Sequence, residues 1–326
     1  MAELPFDKQL LLDSYHNPAF AFAYGSAVMP QKGVKPGRID LTFGVHKPRE
    51  FHRLNLETHP DDFTVREKKK GLDWIMKQQN KGAKILYFFA KYLGFDIKYG
   101  VVAIDHIKPD LLDSVYLYVA GRLLKPVEII QPNTSLVLPM RTNLENAVTL
   151  ALATLPDTFT RIDFLRKVAG FSYYGDTLRR IGSNVPQKIN RAIQGGFDKY
   201  WDLYEGILEA SGLVRQVDKE TYNNLLQDVK TPEEIWSLLP LRVREKRSFF
   251  EHDPEFLLRF PQLIESSLRS IVRRSSTAQT IKGVNTIGVA ASVKYAGSKI
   301  VKGSKMALES LIERIMSLKR RYFNSN

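Results

Sequence analysis

Three apolar, β-rich runs confine residues 20 to 130 to a sheet with helices packed on it. Residues 20–30, Phe-Ala-Phe-Ala-Tyr-Gly-Ser-Ala-Val-Met-Pro, read as a strand that breaks at Gly25-Ser26. Residues 38–46 read as a second strand with Asp40 inside it, and residues 97–104 as a third. Val127–Ile130 is a further short β-rich run. Helical spacing is expected roughly over 51–60 and 70–92, and residues 111–120 are helix or strand leading to Ala120-Gly121-Arg122. Strands separated by helices in this way build an α/β sheet domain.

The pattern changes past Pro139. Asn143 to Leu155 has helical spacing and stops at Pro156. Thr160 to Val168 is a second helix, with Thr160 in N-cap position and Gly170 just past its end, and residues 185–213 continue as helix. A boundary falls near 135–142, giving a sheet domain over 1–138, a mainly helical domain over 139–245 and a C-terminal segment over 246–326.

Charge separates the last segment from the rest. The net charge is +13, and residues 266–326 hold 12 Lys and Arg against only Glu309 and Glu313. In Lys305–Phe323, Leu308, Leu311, Ile312, Ile315 and Met316 share one face while the arginines fall largely elsewhere, which describes a basic amphipathic helix. Over 280–303 the spacing is irregular, and a break is expected near Gly297 or Gly303. Such a segment seeks an anionic partner, lipid headgroups or nucleic acid. The chain has no cysteine, which excludes disulfides, thiolate zinc sites and cysteine nucleophiles. No uncharged apolar run approaches the ~18 residues of a membrane span, and no signal or transit peptide is expected at the N-terminus.

The sharpest local chemistry is Tyr24-Gly25-Ser26 followed by Asp40 on the next strand. A Gly-Ser bend lets backbone N–H groups and a hydroxyl approach phosphates, and a neighbouring carboxylate can hold Mg²⁺ bridging them. That is the logic of nucleotidyl transfer. A second acid one residue away is usual, but Arg38 and Thr42 stand at those spacings. Asp176, in Tyr173-Tyr174-Gly175-Asp176, is one source of a further carboxylate and Asp105 a weaker one. Arg122 and Lys125, beside Gly121, suit a phosphate or diphosphate leaving group, and Lys98 stands within reach of a phosphate from the third strand. His46, His52, His59 and His106 lack metal-ligand spacing and read as core or surface histidines.

Taken in order, several stretches resemble the mitochondrial-type phosphatidate cytidylyltransferase family, the translocator assembly and maintenance family. They are Phe22–Val28, Ile39-Asp40-Leu41 through Val45, His52 with Asn55-Leu56, Lys98–Val102, Leu117–Leu123 with Lys125-Pro126-Val127, and Ser172–Asp176; Gln279–Gly283 resembles the family's C-terminal motif. The chain departs from the family pattern at Ala27, Phe51 and Leu124, at Thr177-Leu178-Arg179, and in lacking a histidine around Asp62-Phe63-Thr64. With the missing transit peptide, these departures suggest a distant, bacterial branch.

The resemblance implies an α+β fold: a nucleotidyltransferase-fold N-terminal domain with a mixed sheet, a winged-helix-like second domain and a membrane-associating basic helical segment. It implies that CTP and phosphatidic acid give CDP-diacylglycerol and diphosphate with Mg²⁺, feeding phosphatidylglycerol and cardiolipin synthesis. Tyr24, Gly25 and Ser26 would line the nucleotide site, Asp40 and Asp176 would hold metal, and Lys98, Arg122 and Lys125 would contact phosphates. The expected location is peripheral, on the cytoplasmic face of a bacterial membrane or the matrix side of the mitochondrial inner membrane. Neither nucleic acid nor an obligate protein partner is expected. Two readings compete: nucleotidyl transfer to RNA or a small molecule, and a non-catalytic winged-helix protein binding nucleic acid.

Overall fold

The computed structural model describes residues 4–29, 37–175, 185–245 and 260–287. Five strands, β1 (Phe20–Tyr24), β2 (Ile39–Val45), β3 (Ile85–Tyr92), β4 (Phe95–Ala103) and β5 (Glu128–Gln131), form one sheet in the order β3-β4-β2-β1-β5. Only β2 and β4 run parallel; the other neighbours are antiparallel, so the sheet is mixed.

Helices α1 (Lys8–Ser14), α2 (Pro48–Thr58) and α3 (Val65–Gln79) contribute to one side of this sheet, where Tyr15, Phe43, Phe51, Phe88 and Tyr99 pack as an aromatic core. Asp62 lies among them. Its Oδ2 accepts from the Tyr99 hydroxyl at 2.7 Å and the Tyr15 hydroxyl at 3.3 Å, so a carboxylate organises this layer where the family resemblance led us to expect a histidine.

The expected helix over 70–92 is a correction. Helix α3 ends at Gln79, and Ile85–Tyr92 is strand β3, the antiparallel partner of β4. Gly82 and Lys84 turn the chain through left-handed backbone, with φ of 54° and 55°. The run Ile-Leu-Tyr-Phe-Phe-Ala-Lys-Tyr then favours a pleated, half-buried surface over a helix. Likewise, the helix expected over 185–213 divides into α8 (Val185–Gln194) and α9 (Phe197–Ala210). The break is at Gly195-Gly196, where a Cβ on Gly196 would come within 2.1 Å of Met29 Cε.

His52 is a core residue beneath β3 and β4. The Gln79 amide nitrogen donates to the carbonyls of Lys84 and Val101, so the Gln79 oxygen must accept from His52 Nε2, 3.1 Å away. Burial lowers the His52 pKa from 6.5 to about 4, with the bond to Gln79 opposing it. The folded ring is therefore neutral while an unfolded one protonates near 6.5. This contribution, on the order of 3 kcal/mol, is present above about pH 6.5 and is lost as pH falls toward 4. NMR titration should find a His52 ring that stays neutral at pH 5.5; one titrating near 6.5 would mean that this layer is open to water.

Between β4 and β5 come α4 (Ile104–Asp113) and the short α5 (Ala120–Leu123). Next, α6 (Thr134–Leu152) carries Pro139 within it and crosses the stretch read as a boundary. Strands β6 (Thr158–Thr160), β7 (Val214–Gln216) and β8 (Thr221–Asn224) form a second sheet in the order β6-β8-β7, with α7 (Arg161–Gly170) between the first two in sequence. Thr160 caps α7 as expected, and Asp163 completes the capping box. Short helices α10 (Leu226–Val229), α11 (Pro232–Leu238) and α12 (Leu241–Arg244) follow. The described chain is thus a mixed α+β protein.

Helix α13 (Phe260–Ile287) has 28 residues and is part of the body. Leu263, Ile264, Leu268, Ile271 and Val272 are buried. Glu265 accepts from Lys167 at 3.1 Å and from the Tyr174 hydroxyl at 3.3 Å. Further along, Ser275 Oγ donates to the Tyr116 carbonyl at 2.7 Å, and Gln279 Nε2 and Lys282 Nζ donate to the Ile85 carbonyl at 3.1 and 2.8 Å. The basic amphipathic helix over 305–323 and the break near Gly297 or Gly303 lie outside the described residues. No helix among the described residues is long and apolar enough to cross a membrane.

Candidate active site

Alternation along β2 sends Arg38, Asp40 and Thr42 to the sheet face opposite the aromatic core. Tyr24 on β1 is paired with Asp40, Asp40 with Lys98 on β4, and Lys98 with Phe89 on β3. Paired residues share a face, so Tyr24, Asp40 and Lys98 form one row across the sheet. Gly25 follows Tyr24 with φ of +84°, which a side chain would strain. A Cβ there would lie 3.5 Å from Asp40 Oδ2, an ordinary contact, so the backbone angle rather than space demands glycine. The same distance places the Asp40 carboxylate against the Gly25-Ser26 bend.

The bend is a short 3₁₀ turn, Gly25–Ala27, in which Val28 and Met29 donate to the Gly25 carbonyl. The first N–H groups of such a turn have no partner within it.

Arg122 reaches this row from α5. Its guanidinium carbon lies 4.2 Å from the ring centre of Tyr118, 5.1 Å from Tyr24 and 5.8 Å from Tyr87, and Nη1 donates to the Tyr118 carbonyl. Cation–π contact favours this cage. Arg122 Nε and the hydroxyls of Tyr24 and Tyr87 are buried with no hydrogen-bond partner among the described residues. Burial raises the Tyr24 phenol pKa, and the Arg122 charge opposes that rise. No ion pair among the described residues joins Arg122 to a carboxylate. Desolvating a guanidinium costs several kcal/mol unless an anion neutralises it, so this arrangement suits an incoming phosphate.

Lys98 Nζ stands 4.0 Å from the Tyr87 ring centre, beside the same cage. Lys125 turns elsewhere: Nζ donates to Ser172 Oγ at 2.7 Å and lies 4.2 Å from the Tyr173 ring centre. Ser172 in turn presses on Gly121, where a Cβ would meet the Ser172 Cβ at 2.6 Å. The Ser172–Gly175 stretch is thereby seated on α5. Asp176 itself lies outside the described residues, as do Thr177-Leu178-Arg179.

Asp105 is exposed in the first turn of α4, beyond the end of β4 and seven positions on from Lys98, so it does not join Asp40. No group of three or more His, Cys, Asp or Glu among the described residues could hold a metal ion. Mg²⁺ commonly takes one or two carboxylates and completes its shell with substrate phosphates and water, so Asp40 beside a phosphate-binding bend fits that ion as a principal protein ligand.

Tyr24, Gly25, Ser26, Asp40, Lys98 and Arg122 therefore come together, with Lys125 at the edge. Sequence reasoning missed Tyr87, which the helical reading of 70–92 concealed. The aromatic- and Ile-rich run Ile85-Leu86-Tyr87-Phe88-Phe89 was the available signal. It also missed Tyr118 and the carboxylate of Asp110, described below.

Comparison with known proteins gives the chain a family. The sequence family described as phosphatidate cytidylyltransferase, mitochondrial, matches residues 8–302. The Rattus norvegicus phosphatidate cytidylyltransferase, mitochondrial, is 33% identical over 308 residues, covering 87% of this chain and 90% of the relative. The Saccharomyces cerevisiae protein of the same name is 30% identical over 320 residues, covering 93% of this chain and 73% of the relative.

Proposed function

Because the chain belongs to the mitochondrial phosphatidate cytidylyltransferase family, we propose that it transfers the cytidylyl group of CTP to phosphatidate, forming CDP-diacylglycerol and diphosphate. The observation that carries this reading for the chain's own residues is the Asp40 carboxylate against the Gly25-Ser26 bend, with the caged Arg122 beside it.

In this reading a phosphate oxygen of phosphatidate attacks the α-phosphorus of CTP in line. A new P–O bond forms, the bond from the α-phosphorus to the bridging oxygen breaks, and diphosphate leaves. The nucleophile is already anionic at neutral pH, so no strong general base is required. The bend's N–H groups and the Ser26 hydroxyl hold phosphate oxygens, and Tyr24 forms the wall behind them. Lys98 adds positive charge next to Asp40. Arg122 takes the diphosphate, with Lys125 near its outer edge. Asp40, together with Asp176, would hold Mg²⁺, which would neutralise charge on the transferred and leaving groups.

The N-terminal part, to about residue 138, is read as a nucleotidyltransferase fold, residues 139–245 as winged-helix-like, and the basic segment as the membrane contact. Basic residues near an anionic surface contribute about 1 kcal/mol each. A few of those beyond residue 287 suffice to hold the protein peripherally at a membrane, the matrix side of the mitochondrial inner membrane in a eukaryote or the cytoplasmic face of the membrane in a bacterium. There its product would feed phosphatidylglycerol and cardiolipin synthesis.

The test is incubation of the full chain with Mg²⁺, phosphatidate vesicles and each of the four nucleoside triphosphates labelled at the α-phosphate. Label should enter the lipid extract from CTP only. Lipid label from ATP alone would overturn the cytidine assignment, and label in RNA without lipid would favour a different acceptor.

A further inference from the structure

We infer that Asp110 is the positioning residue for Arg122, holding the loop that brings Arg122 and Tyr118 up to Tyr24 and Tyr87 on the sheet. This rests on the reading of Arg122 as the diphosphate contact.

Asp110, near the end of α4, is buried at 1% exposure. Its Oδ1 accepts the Tyr116 N–H at 2.8 Å, and its Oδ2 accepts those of Tyr118, Val119 and Ala120 at 3.1, 2.9 and 3.0 Å. All four donors come from the five residues that enter α5, two before Arg122 at the nearest. One of them, Tyr118, is also the closest wall of the cage. The loop is otherwise costly: Ser114 and Leu117 sit at φ of 55° and 47°, in left-handed backbone that a leucine seldom adopts. A carboxylate that collects four N–H groups can hold such a loop in one shape. Burial raises the Asp110 pKa, while the four bonds oppose that rise and favour the anion.

Other elements fix the same loop from outside. Asn143 on α6 donates to the Ala120 carbonyl at 3.2 Å, Ser275 on α13 to the Tyr116 carbonyl at 2.7 Å, and Tyr204 on α9 to the Leu124 carbonyl at 2.8 Å. These bonds act on carbonyls spread along the loop. Among the described residues only Asp110 gathers its N–H groups at one point, and so it sets where Arg122 begins. Asparagine cannot replace it. Whichever way its amide turns, an NH₂ group faces an N–H, and the loop must move.

The test uses the full chain carrying Asp110→Asn, Arg122→Lys, or both, with diphosphate as probe in titration calorimetry. Asp110→Asn should weaken diphosphate binding by about 10-fold or more and lower kcat/KM for CTP by up to about 10²-fold, the scale of a misplaced binding group. In the Arg122→Lys background the same change should add almost nothing, because its effect passes through Arg122. A merely structural role predicts additive losses that follow the melting temperature. If Asp110→Asn does not fold, Asp110→Glu keeps the charge on a longer arm and is read in the same way. Additive losses, or wild-type diphosphate affinity in a folded Asp110 variant, overturn the inference. Wild-type protein that neither binds diphosphate nor labels lipid from CTP would instead overturn the functional reading.

Discussion

Asp40→Asn is expected to lower cytidylyl transfer by at least about 10³-fold while moving the melting temperature by no more than about 2 °C. The substitution keeps size and shape, so the strand pairs Tyr24–Asp40 and Asp40–Lys98 survive with their backbone bonds. What it removes is one negative charge next to the Gly25-Ser26 bend. Losing a single neutral oxyanion donor typically costs about 10²–10³ in rate. Losing the charge of a principal metal carboxylate, at a centre with few protein ligands, costs more. The pair of measurements is lipid labelling from CTP and thermal unfolding of the same preparation. A variant that unfolds outright would show Asp40 to be a structural residue; one that turns over normally would remove it from the site.

The second large effect is at Arg122. Arg122→Lys keeps the formal charge but loses the planar group that lies among Tyr24, Tyr87 and Tyr118 and the fork that can take two phosphate oxygens together. A loss of about 10²–10³ in kcat/KM for CTP is expected, with diphosphate product inhibition weakened in parallel. Stability should fall by about 1–2 kcal/mol, since an ammonium packs poorly among three rings and loses contacts of about 0.5–2 kcal/mol each. Steady-state kinetics with diphosphate as inhibitor separates the two losses. Unchanged diphosphate inhibition in a slow variant would mean that Arg122 serves the fold and not the leaving group.

Several features were legible in the sequence because local rules decide them. The break at Gly25-Ser26 needs only left-handed backbone at a strand end, and Asp40 stands out as an acid in an apolar run. Thr160 with Asp163 announces a capped helix. Features that depend on distant partners were not legible. The stretch 85–92 shows no strict alternation because β3 is partly buried on both sides by elements far along the chain, so periodicity did not separate strand from helix. Arg122 looked like half of a phosphate-binding pair with Lys125. In the fold the two diverge, one to the tyrosine cage and the other to Ser172, because Ser172 comes from beyond residue 170. Asp110 gave no local signal, since its four donors lie six to ten positions later and meet only when the intervening loop takes its left-handed steps.

Helix α13 has a consequence for how the molecule can meet a flat surface. It is bonded to Tyr116 at one level and to Ile85 at another, so its rotation about its own axis is locked to the sheet that holds Asp40. Each added residue in a helix turns everything beyond it by about 100° and advances it by about 1.5 Å. The direction that the last turn of α13 presents at Ile287 is therefore a phase angle written into the helix. Inserting one alanine after Thr286 would leave every buried contact before it in place, yet turn Ile287 about the helix axis by more than a quarter turn.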